Sequence, residues 1–304
     1  MRIADVSVDV LTDVAKSRGI QIQTGPFISR LKTKLRHLVA HLSQLYCDHT
    51  LIEEDTVSDS QIEIVRASGL RRYIRPQLEF ILNGKKPFET FRLDLAMPVY
   101  EWGMNWAIGT SAHQFLMIHA AVVAPDGISL ILPGPPGSGK STLCAALIHR
   151  GWRLLSDEIT MIRTRDGQLQ PLARPVALKN QSIDLIRSLA PEARFGPAFY
   201  ETHKGTISHV IPPRESLDAI GELAAPGWIV FPKFTEGDSE RFDPLPKAEA
   251  FLRLNENSMN YTMLGETGFE TMSDTVERCD VFEFSYGDLN KAVEGIQSLS
   301  APNG

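Results

Sequence analysis

An α/β fold is the expectation for this 304-residue chain, and three observations carry it. From about residue 111 short apolar runs alternate with helical periodicity, and a glycine-rich turn at 134–141 stands between a strand pattern and a helix pattern. The composition, 43% hydrophobic and 22% charged, is that of a globular protein with enough apolar material for a core. On a soft prior of roughly 150 residues per domain the length suggests two domains. A small mixed α/β domain is expected at 1–100 and a larger one at 101–304.

In the first part, short alternating apolar runs lie near 3–10 and 20–22, helical periodicity covers 28–47, and a second helical run over 72–82 closes on Asn83-Gly84. Leu31, Leu35, Leu38 and Leu42 recur at helical spacing and predict one buried face, with Arg30, Lys32, Lys34 and Arg36 on the adjoining solvated surface. No charged residue occurs between Glu101 and Asp126, but polar residues such as Asn105, Gln114 and His119, and the breakers Gly103, Gly109 and Pro125, argue against a membrane span. One or two buried strands are expected there. FLMIHAAVVA (115–124) reads as a strand, Pro125-Asp126-Gly127 as a turn and ISLIL (128–132) as the partner strand. After the glycine-rich turn comes a helical run stopped by Gly151, then strands at RLLS (153–156) and ITMIRT (159–164). WIVF (228–231), VFEFSY (281–286) and a closing helix over 288–299 complete the pattern.

Charge excludes some functions. With 31 Lys+Arg against 37 Asp+Glu the net is −6, which disfavours a general nucleic-acid binder, since a phosphate backbone calls for a basic footprint. Three cysteines, Cys47, Cys144 and Cys279, show no C-x-x-C spacing, so neither a disulfide framework nor a cysteine zinc site is expected. Asp5, Asp9 and Asp13 fall where a signal peptide needs an apolar run, so a cytoplasmic protein with no membrane partner is expected.

Chemistry concentrates at Gly134-Pro135-Pro136-Gly137-Ser138-Gly139-Lys140-Ser141, which satisfies G-x-x-x-x-G-K-[ST] and is followed by Thr142. Its glycines let successive backbone N–H groups converge on phosphate oxygens, Lys140 carries charge to the outer phosphates, and the Ser141 hydroxyl suits Mg²⁺. Asp157 and Glu158 end the strand that follows the loop's helix, the edge at which ligands collect in open α/β sheets. Adjacent carboxylates on an extended segment point opposite ways, so one addresses the metal and the other an acceptor hydroxyl. His119, alone in an apolar run, reads by itself as a satisfied core histidine.

The stretches IHAAVVAPDG, GPPGSGKS and RGWRLLSDE together resemble the kinase domain of HPr kinase/phosphorylase and, more closely, the HprK-related kinase A group. Spacing supports the likeness: His119 lies 21 residues before Lys140 and Asp157 lies 17 after it. EWGMNW (101–106), ARPVALKNQSID (173–184) and THKGTISHVIPP (202–213) add to it, so that it spans about 100–290. The resemblance implies a P-loop kinase on the fold shared with phosphoenolpyruvate carboxykinase, using ATP and Mg²⁺ and acting on a serine hydroxyl of a protein or peptide. It implies Asp157 as the group that accepts the hydroxyl proton, His119 as its support, Lys140 as the phosphate cation, and Ser141 with Glu158 toward Mg²⁺. HPr kinases are oligomeric, so homo-oligomer assembly is implied as well.

PLARPVALKNQSID replaces the family's glycine- and glutamate-containing signature segment, which takes HPr itself and reverse phosphorolysis out of the expectation. The cations Arg174 and Lys179 within that stretch, and His203 and Lys204 beyond it, are candidates to replace its contacts by gripping the phosphoryl or the incoming peptide. Two rival readings are a nucleotide-dependent switch without an acceptor and a kinase of a small hydroxyl metabolite.

Overall fold

Side chains at Phe27, Ser29, Leu31 and Thr33 are buried while those between them are not, and this period of two makes Phe27–Thr33 a strand. The computed structural model describes residues 1–54, 56–69, 74–237 and 239–300. It forms two compact units, 1–111 with 194–211, and 112–193 with the chain from 212 onward. The boundary expected after residue 100 falls inside the helix Ala96–Ser111.

The first unit is built on a six-stranded sheet in the order Leu51–Ile52, Ile20–Thr24, Phe27–Thr33, Ser60–Arg66, Gln77–Leu82, Phe91–Arg92. The helical run expected over 28–47 is therefore confined to Arg36–Leu45. Leu31 satisfies both a strand and a helix period, and pairing with Ser60–Arg66 decides for the strand. Gln77–Leu82 is likewise a strand rather than the expected helix, with Leu78 and Phe80 buried; residues 72 and 73 lie outside the described residues. The turn at Asn83-Gly84 is present, both residues having positive φ, 48° and 78°. The runs near 3–10 form a short 3₁₀ turn, Ile3–Asp5, and a helix, Val8–Lys16, whose cap Ser7 accepts from Val10 N.

The uncharged stretch opens in the helix Ala96–Ser111, which the sequence did not mark, and the buried strands expected in it are Phe115–Ile118 and Ala120–Ala124. The helix is enclosed on most sides, with Val99, Tyr100, Met104, Ala107 and Ile108 all buried, so no amphipathic period marks it. Buried Glu101 accepts a 2.6 Å hydrogen bond from Tyr46 Oη. The Phe80 ring lies where a Cβ on Gly103 would stand. Alanine is favoured in a helix by about 1 kcal/mol, but overpacking costs about 1–3 kcal/mol. Gly103→Ala is therefore expected to lower the unfolding midpoint in denaturant, and a raised midpoint would show that Phe80 moves aside freely. Among the described residues no helix is long and apolar enough to cross a membrane.

The second unit carries a six-stranded sheet ordered Arg153–Ser156, Ala120–Ala124, Ile128–Pro133, Ala225–Phe234, Asp280–Tyr286, Arg241–Pro244. Ile128–Pro133, Ala225–Phe234 and Asp280–Tyr286 run parallel, and the remaining neighbours are antiparallel. A three-stranded sheet, Leu169–Gln170, Thr160–Arg163, Phe115–Ile118, adjoins it. The helix Lys140–Ile148 packs against strands Ala120–Ala124 and Val176–Lys179 and helices Gln181–Leu189 and Leu289–Gln297, which explains its almost continuous burial. All three cysteines are free thiols.

Candidate active site

Strand register brings the expected residues to one edge of the second unit. Ala120 pairs with Pro133, so His119 lies beside the start of the 134–141 loop. Arg153–Ser156 runs antiparallel to Ala120–Ala124 and so parallel to Ile128–Pro133, which carries Asp157 and Glu158 to the same edge. The run read as one strand over 115–124 is broken at His119: Phe115–Ile118 belongs to the three-stranded sheet and Ala120–Ala124 to the six-stranded one. The chain passes between the same two sheets again at 157–159, where Ser156 Oγ accepts from Ile159 N and turns it into Thr160–Arg163. Thr160 pairs with Ile118 and its hydroxyl donates to Ala120 O at 3.1 Å, which holds the two crossings side by side.

The break is stabilised from behind. His119 N donates to Asn257 O at 2.8 Å, and the Asn260 amide accepts from Met117 N and donates to Phe115 O, both at 2.9 Å. With its backbone satisfied, the imidazole is free to turn toward the edge, and His119 Nε2 lies 3.3 Å from Glu158 Oε2. The expected support of Asp157 by His119 is therefore replaced by a pairing of His119 with Glu158. The two carboxylates sit in a turn, not on an extended strand, and differ in surroundings: the Glu158 side chain is 27% exposed, whereas Asp157 is buried.

Asp157 Oδ2 accepts from Ala177 N at 3.2 Å, while its buried Oδ1 has no hydrogen-bond partner. Burial and the Glu158 charge push its carboxyl up to about 7, against the opposing pull of the nearby Ser141 hydroxyl, the Ala177 amide and the Lys179 charge. Lys140 is buried and donates through Nζ to Gly134 O at 2.6 Å and Pro135 O at 3.1 Å, bridging its own loop. Burial lowers the Lys140 pKa, Glu158 and Asp157 oppose that fall, and Lys179 adds to it.

Gly139 caps the helix Lys140–Ile148 at φ 98°, a left-handed conformation, and the space a Cβ would need is held by the Tyr286 hydroxyl. Tyr286 is itself fixed by stacking on Phe284, with ring centroids 5.3 Å apart, and by an edge contact with Phe234. Sequence alone gives no hint of this brace. Gly139→Ala is expected to distort the loop and weaken phosphate binding by combining positive-φ strain, about 1–3 kcal/mol, with the clash. Adding Tyr286→Phe removes the hydroxyl that clashes most closely but not the strain, so the double variant is expected to recover part of the binding; no recovery would show that backbone strain dominates.

Of the remaining expected residues, Gly134, Gly137 and Ser138 form the loop, and Ser138 Oγ is buried without a partner. Thr142 Oγ1 donates to Ser182 Oγ at 2.9 Å, tying the loop's helix to Gln181–Leu189. Arg174 is buried in the second unit, while His203 and Lys204 belong to the first, where the His203 ring stands 4.6 Å from Trp102. A cavity of about 480 Å³ adjoins the loop, lined also by Phe231, Lys233, Phe234, Arg253 and Glu283, none of which the sequence singled out.

No family model matches the chain. Over 101 residues it is 31% identical to an HPr kinase/phosphorylase of Clostridium beijerinckii. The chain is similar to HPr kinase/phosphorylase. That match takes in 33% of this chain and 33% of the relative, so the chain spans a third of the length of the curated relative it matches. A Clostridium botulinum HPr kinase/phosphorylase is 40% identical over 52 residues, 17% of each chain. Among solved structures, the Hpr(Ser) kinase/phosphatase from Coxiella burnetii is 15% identical with a TM-score of 0.27, over 60% of this chain and 91% of that one.

Proposed function

We propose that the chain is an ATP-dependent kinase of the HPr-kinase type, transferring the terminal phosphoryl group to a serine-type hydroxyl of a protein or peptide. The observation that carries this reading is the buried, unpartnered Asp157 oxygen at the same sheet edge as the Gly134–Ser141 loop. A carboxylate with one oxygen locked by Ala177 N and the other unsatisfied is held ready to accept a proton. The likeness to HPr kinase/phosphorylases supports the same chemistry.

In this reading the loop amides and Lys140 receive the phosphates. Ser141 and Glu158 offer the hard oxygen donors that suit Mg²⁺, which is commonly held by one or two protein oxygens plus the substrate phosphates. When bound there it supplies neutralisation of phosphoryl charge. His119, 3.3 Å from Glu158, sets the direction of that carboxylate. The acceptor oxygen attacks the γ-phosphorus, the bridging bond to ADP breaks, and the hydroxyl proton passes to Asp157 Oδ1. The protein's contribution is mostly position and charge.

Incubating the chain with γ-labelled ATP, Mg²⁺ and cell lysate tests this. A labelled protein band that disappears with Asp157→Asn is expected. Label found only as free phosphate, or nowhere, overturns the kinase reading in favour of a nucleotide switch, and label on a small compound moves the acceptor to the metabolites.

A further inference from the structure

Among the cations of the segment that departs from the HPr-kinase pattern, one is held against the loop from two sides. Val176–Lys179 is a strand in which Val176 and Leu178 are buried, so Ala177 and Lys179 share its other face. Ala177 N is the donor to Asp157 Oδ2, which sets the strand's edge against the carboxylate two residues before Lys179. Three residues beyond Lys179, Ser182 Oγ receives the hydroxyl of Thr142 in the first turn of the loop's helix. Lys179 thus lies between two tethers, one to the candidate base and one to the phosphate loop, and the strand packs on the loop's helix.

The backbone beside it is strained in a way that serves this position. Asn180 has φ 50° and ψ −124°, a conformation disfavoured for any residue with a Cβ. That turn stops the strand at Lys179 and starts Gln181–Leu189 at once. Lys179 is half-buried and has no carboxylate within salt-bridge distance among the described residues. Its charge is nonetheless felt at both Lys140 and Asp157. A half-buried ammonium close to a second ammonium repels it, an arrangement that becomes favourable when a polyanion lies between them.

We propose that Lys179 is a catalytic residue that grips the terminal phosphoryl group of ATP, opposite Lys140. This inference rests on the kinase reading and deepens it. Lys140 then meets the outer phosphates from the loop side, and Lys179 meets the equatorial oxygens of the group in transit from the other, next to the base that takes the acceptor proton.

Binding of Mg-ATP and Mg-ADP to wild type, Lys179→Met and Lys179→Arg, read by calorimetry without any acceptor, tests the assignment. Lys179→Met is expected to weaken ATP about 10–100-fold, the range for a charge-assisted contact, and to leave ADP nearly unchanged, with Lys179→Arg restoring most of the ATP affinity. Equal losses for both nucleotides, or none, overturn it. Should Lys179→Met fail to fold, Lys179→Gln gives the same comparison. Wild type that binds ATP with the expected Lys179 dependence but labels no acceptor overturns the kinase reading alone; wild type that binds neither nucleotide overturns both.

Discussion

Replacing Asp157 by Asn is expected to lower phosphoryl transfer about 10²–10⁴-fold, the range for loss of a general base, while Mg-ATP affinity stays nearly unchanged. The substitution is close to isosteric, and the new carbonyl oxygen still accepts from Ala177 N, so the site keeps its shape. The fold tolerates it for a second reason. Burial and the Glu158 charge already push the Asp157 carboxyl up to about 7, so a neutral amide suits that position better than an ion does. What the amide lacks is an oxygen able to keep a proton. Transfer rate and nucleotide affinity must be measured on the same preparation: unchanged turnover removes Asp157 from the role, and affinity lost in parallel with rate makes it a binding group instead.

Lys140→Met is expected to act on both quantities. The methionine retains the apolar stem and much of the volume but has no ammonium to donate to Gly134 O and Pro135 O or to meet phosphate. Loss of one positioned electrostatic contact of this kind lowers rates about 10²–10³-fold, and here Mg-ATP affinity falls with it because the same charge binds the ground state. Stability is expected to move the other way or not at all. Burial disfavours the Lys140 charge, and an apolar side chain relieves that penalty. A variant that melts at the wild-type temperature yet does not bind Mg-ATP is the expected outcome; unimpaired binding would mean that Lys140 serves only to bridge its loop.

The loop was legible because its chemistry is local: glycines, lysine and serine at fixed offsets between a strand and a helix. Strands such as Arg153–Ser156 and Asp280–Tyr286 were legible because each is a short apolar run with clear ends. The first unit was harder. Leu31 fits two periods at once, and Ala96–Ser111 is buried nearly all round, so periodicity misassigned one and was silent on the other. The partner of His119 was not legible at all. Nothing in LMIHAAVVA indicates that the strand changes sheets at the histidine, because the change depends on Asn257 and Asn260, more than a hundred residues away in the chain.

The brace between Tyr286 and Gly139 sets a timetable for synthesis. A ribosome adding about 5–20 residues per second releases the glycine turn well before the tyrosine that supports it, leaving an interval on the order of 10 s. Ala225–Phe234, which lies between Ile128–Pro133 and Asp280–Tyr286 in the sheet, also emerges within that interval. The nascent chain therefore carries a complete motif in an unfinished setting, and the loop gains its proposed competence to hold nucleotide only once Tyr286 has been made.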